Sequence, residues 1–87
     1  MGFPGGSAWA MVKDIGDGYI TLNERSLKRF SRSELDKIVF ELDRRVREVR
    51  ADQPALDDLP AVQTRQRRLQ RLTRSRTMVD AYRAKRR

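Results

Sequence analysis

The sequence predicts an α+β fold, mostly helical: a short N-terminal arm, a small β-hairpin, an amphipathic helix, then a long Arg-rich C-terminal helix. Three observations lead there. A chain of 87 residues that is 37% charged and 38% hydrophobic has material for one small core and much surface to solvate. Ser31-Arg32-Ser33-Glu34 has capping-box spacing at the head of a run with helical apolar period. Tyr19-Ile20-Thr21-Leu22, just after the turn signal Asp17-Gly18, is rich in strand formers.

Residues 1–14 read as the arm. Met1 to Ser7 contains three glycines and a proline, which propagate neither helix nor strand, and Ser7 is placed to cap a short helix over Ala8 to Lys13. Phe3, Trp9, Met11 and Val12 give this arm apolar anchors. Trp9 either closes the core of its own chain or docks on a neighbour.

Residues 15–53 read as a hairpin-helix core module. A two-residue Asn23-Glu24 loop would pair Leu22 with Arg25 and Ile20 with Leu27, although Asn-Glu lacks the glycine such turns favour. A longer loop or a slipped register stays open. The helix then starts at Ser31, with Phe30 placed to pack on Leu35 as a hydrophobic staple. Leu35, Ile38, Val39, Leu42, Val46 and Val49 share one helical face, a core face. Glu41 with Arg45 and Asp43 with Arg47 are i, i+4 pairs for the wet side. Phe40 lies off the apolar stripe and either widens the buried face or meets another subunit.

Pro54 ends that helix, and residues 54–60 form a linker whose Asp57, Asp58 and Pro60 suit the start of another helix. Residues 61–87 read as a basic helix or tail. Its apolar positions, Val62, Leu69, Leu72, Val79 and Tyr82, form only a thin stripe, so alone the helix would be marginal.

The charge is unevenly placed. The formal net charge is +8, yet residues 1–60 hold ten Lys/Arg against eleven Asp/Glu, whereas residues 61–87 hold ten against Asp80 alone. Those ten are Arg65, Arg67, Arg68, Arg71, Arg74, Arg76, Arg83, Lys85, Arg86 and Arg87. Such a field attracts phosphate backbones or acidic protein surfaces. The bland alternative is a solvated helix whose arginines maintain solubility, against which the preference for Arg counts, since Arg suits planar bidentate contacts.

Chemistry-bearing motifs are scarce. Without histidine or cysteine the chain lacks the commonest general base, the usual transition-metal ligands and the thiolate nucleophile. No Walker-type phosphate loop occurs, and Asp57-Asp58 has an ordinary capping explanation. We therefore expect no catalysis, no metal and no cofactor. The lack of cysteine fits a reducing compartment, the Gly-rich start does not suit a signal peptide, and no apolar run is long enough for a membrane span. A basic helix lying on an anionic membrane is disfavoured by a stripe without Trp or Phe.

The run Tyr19-Ile-Thr-Leu-Asn-Glu-Arg25-Ser26-Leu27-Lys-Arg29-Phe-Ser31-Arg-Ser-Glu-Leu35 resembles small head-completion proteins of tailed bacteriophages, the lambda W type. In that family a hairpin leads through a capped Ser/Thr segment into an amphipathic helix, and the likeness extends from Tyr19 to about Arg50. It implies a head-to-tail adaptor: a homo-oligomeric ring, of twelve copies on a dodecameric portal, that lengthens the DNA channel and offers a surface to the next neck or tail protein. The implied location is the virion neck, assembled in the host cytoplasm. The basic residues of 61–87 would then meet the portal or packaged DNA, and Phe3, Trp9, Phe40 and Tyr82 are the candidate subunit contacts. The alternative is a nucleic-acid-binding module that uses the same basic helix.

Overall fold

The computed structural model describes Phe3 and residues 6–85, and over them the chain is all-α. Four helices follow in order: α1 (Ala8–Asp17), α2 (Glu24–Leu27), α3 (Arg32–Ala51) and α4 (Leu59–Lys85). The predicted hairpin is absent, and no strand occurs among the described residues. What was expected to be its turn starts a helix instead. The Asn23 side-chain oxygen accepts from the Ser26 backbone N–H at 2.9 Å, and Glu24 lies in the first turn, so the single turn of α2 is capped locally. Without a second strand, Tyr19–Leu22 is an irregular connection. Leu22 is buried and Ile20 packs against the core from it, while Leu27 enters the same core from α2. Ile20, Leu22 and Leu27 of the expected hairpin thus pack on the core by a different backbone, while Tyr19 stays exposed.

Helix α1 is longer than the Ala8 to Lys13 turn expected. Ser7 caps it through Ala10 N–H at 3.1 Å. Gly18 ends it in the left-handed region at φ 88°, where Gly18 N–H donates to Ile15 O and Tyr19 N–H to Asp14 O. That pair of bonds is a Schellman stop, and glycine adopts its backbone without strain. The turn signal at Asp17-Gly18 thus closes a helix.

Helix α3 begins with the expected capping box: Glu34 N–H donates to Ser31 Oγ at 3.1 Å, and Ser31 N–H donates to Glu34 Oε1 at 2.8 Å. Leu35, Ile38, Leu42 and Val49 are buried on its inner face, with Val39 and Val46 packed beside them. The outer face is paired differently from expectation. Glu41 meets Arg44 at 3.4 Å and Glu48 meets Arg45 at 3.8 Å, both i, i+3, while Asp43 turns to Arg76 on α4.

Helix α4 runs 27 residues, about 40 Å at 1.5 Å per residue, and spans most of the 46 Å length of the molecule. It lies antiparallel on α3: Arg65 reaches Val49 and Arg50, Arg76 reaches Asp43, and Arg83 reaches Asp36. Leu72 and Val79 on its thin stripe are fully buried. α1 closes the third side, and at Gly16 it packs on Leu72, where an added Cβ would stand 3.5 Å away in ordinary contact. The core is thus built mainly by α1, α3 and α4, with Leu22, Leu27 and Phe30 added from α2 and its flanks, and the basic helix is one of its walls.

Candidate functional site

Two surfaces contain the residues singled out from the sequence. The first is the basic helix α4. Arg65 sits where α3 ends, at carbonyls that have no intrahelical donor. Its Nε donates to Val49 O at 3.2 Å and Asp52 O at 3.1 Å, and its Nη2 to Arg50 O at 3.0 Å. A cation there also meets the negative end of the helix dipole. Arg71 serves α1 in the same way, with Nη1 on Gly16 O at 3.2 Å and its guanidinium against Gly18. Arg68 pairs with Asp17 at 3.0 Å.

Further along, Arg76 bridges Asp43 on α3, at 2.9 Å, and Asp80 on its own helix. The bonds to Asp43 and then Asp80 raise its pKa above the ordinary arginine value against a smaller opposing effect of burial. Arg83 meets Asp36 at 3.1 Å, and Lys85 stands 4.0 Å from Glu24. Arg67 and Arg74, seven positions apart on the outer face, are exposed and form no ion pair among the described residues. Arg86 and Arg87 lie outside the described residues. Most of the candidate partner contacts on α4 thus tie helices together, while Arg67 and Arg74 face outward.

The second surface gathers two of the four candidate subunit contacts. Trp9 on α1 and Phe40 on α3 are 44% and 61% exposed, and both line a shallow cleft of about 500 Å³ with Ser33, Asp36, Lys37 and Glu41. Lys13 stacks over the Trp9 ring with Nζ 5.7 Å from its centroid. The other two candidates turn inward. Phe3 stacks on Phe30 at 5.6 Å between centroids, and Tyr82 packs half-buried against the core. Sequence reasoning left both Trp9 and Phe40 between core and interface. Their common cleft depends on how α1 crosses α3, which no local pattern encodes.

A third feature escaped notice in the sequence: Leu56, in the connection from α3 to α4, and Leu59, the first residue of α4, are 93% and 63% exposed. Their signal was present as two leucines among Asp57, Asp58 and two prolines. Among the described residues, no cluster of acidic side chains could hold a metal ion, and no helix is long and apolar enough to cross a membrane. No family model matches the sequence, and neither the known proteins nor the solved structures provide a match.

Proposed function

We propose that the protein is a non-catalytic assembly subunit that works by docking on copies of itself and on partner proteins. The Trp9–Phe40 cleft supports this reading. A chain with so small an interior has good use for two large aromatic side chains in its core, yet both stand at the surface around one depression. Aromatic groups of this kind, half-desolvated and held on rigid helices, are what carry binding energy in protein interfaces.

The specific form we propose is a head-to-tail adaptor that forms a ring on a phage portal. With the hairpin gone, the likeness to that family rests on the Ser31 capping box and the apolar face of α3. Electron microscopy of the full chain, alone and mixed with purified portal rings, tests it. Ring-shaped particles or added density on the portal are expected, and a chain that stays monomeric and leaves the portal bare overturns it.

A second reading, nucleic-acid binding through α4, is favoured by one observation: Arg67 and Arg74 are exposed and have no ion-pair partner among the described residues. Ten phosphate contacts would give a log-log salt slope of about −9. With most of these side chains committed to other helices, a much shallower slope is expected. Titration of duplex DNA at low and moderate salt measures it, and binding that ignores salt rejects the reading.

A further inference from the structure

The acids lining the Trp9–Phe40 cleft are already engaged: Asp36 meets Arg83 at 3.1 Å and Glu41 meets Arg44 at 3.4 Å. Lys37 on the cleft wall, and Lys13 stacked over Trp9 beside it, form no ion pair among the described residues, so each has room for a partner's carboxylate. The cleft suits an apolar group that carries a negative charge.

The α3–α4 connection is such a group. Leu56 exposes nearly its whole side chain and Leu59 more than half, and the exposed Asp57 between them has no ion-pair partner among the described residues. The turn is held in place at both ends. Asp58 N–H donates to Ala55 O at 3.0 Å, the Asp58 carboxylate accepts from Ala61 N–H at 3.2 Å, and Arg65 grips Asp52 O at 3.1 Å. A preformed turn loses little freedom on docking. It cannot reach the cleft of its own chain, because the twelve positions of rigid α3 from Phe40 to Asp52 hold the two about 18 Å apart.

We propose that copies of this chain associate head to tail, the Leu56–Leu59 turn of one seated in the Trp9–Phe40 cleft of the next, with Asp57 facing Lys37. This inference rests on the assembly reading above and specifies its contact. Two different patches meet, so the interface is heterologous and generates a ring where the rotation closes and a filament where it does not. The charges set orientation, and the aromatic and leucine side chains supply the apolar burial.

Light scattering on the full chain after size exclusion tests the inference with two variants, Leu56→Lys/Asp57→Lys in the turn and Lys37→Glu/Phe40→Ala in the cleft. All four positions are exposed, and circular dichroism of each variant checks the fold. Each variant alone is expected to be monomeric. Mixed, they are expected to form a dimer that grows no further, because each retains the one patch the other needs. In a separate pair, Lys37→Glu alone is expected to weaken association severalfold and Asp57→Lys in the same chain to restore it. A wild type that assembles while the turn variant assembles equally well overturns this contact and leaves the assembly reading standing. A wild type that is monomeric at every concentration and ignores the portal overturns both.

Discussion

At the residue scale, arginine here is mainly a joint between helices. Arg65 satisfies carbonyls at the open end of α3, and a hydrogen bond to a charged donor contributes about 1.5 to 3 kcal/mol, less where water competes. Arg65→Gln is expected to lower unfolding free energy by about 1 to 2 kcal/mol, and Arg65→Lys to recover only part, since a point charge cannot span the carbonyls as the planar fork does. Urea denaturation of the three proteins checks this. Glu34 adds a pH dependence. The Ser31 backbone bond, aided by the Ser31 hydroxyl, lowers its pKa below the ordinary carboxylate value. With the folded value below the unfolded one, its contribution is complete above the unfolded value and is lost as pH falls through the folded one. Glu34→Gln is expected to flatten the acid side of the stability curve, seen as urea midpoints that change less with falling pH than in the wild type.

At the element scale, α4 is amphipathic by a narrow margin and is held by what it packs against. Leu72 is fully buried against Gly16, so Leu72→Ala is expected to cost about 2 to 5 kcal/mol, a large part of the stability of so small a domain. Thermal melting followed by circular dichroism measures it. Removal of residues 61–87, which by composition alone would leave a balanced module intact, is expected to unfold the remainder, with loss of dispersed amide resonances. The helices themselves were legible in the sequence wherever a cap and an apolar period coincide: Ser31 with Glu34 and the Leu35 to Val49 face read correctly. The stretch Tyr19 to Leu27 misread because strand preference at Tyr19–Leu22 needs a partner strand to act on, whereas the Asn23 cap of α2 acts within three residues. The candidate site was half legible. Its aromatic residues could be named, but which of them face outward is decided by helix crossing, and the acidic leucine turn passed for an ordinary linker.

At the scale of the whole molecule, the net charge of +8 and the ties among its helices pull in opposite senses. Self-repulsion opposes compaction and association, while arginine pairs spread along α4 hold three helices on a small shared core. Such a domain gains stability from any partner that binds only its folded form, a second copy included. Head-to-tail docking places the Asp57 carboxylate beside Lys37 and so reduces the repulsion at the point of contact. The melting temperature is therefore expected to rise with protein concentration. Each tenfold increase contributes up to about 1.4 kcal/mol once the sites are mostly filled. For a domain of this size that is a shift of roughly 5 to 10 °C. Salt screens the Asp57 to Lys37 attraction as well as the general repulsion, so the effect of added salt tells which dominates at the interface: a shift that shrinks with salt marks attraction. Scanning calorimetry across a hundredfold dilution series, with the Lys37→Glu/Phe40→Ala variant in parallel, measures both. The variant is expected to melt at a temperature independent of concentration, and the same independence in the wild type would remove self-association as a source of its stability.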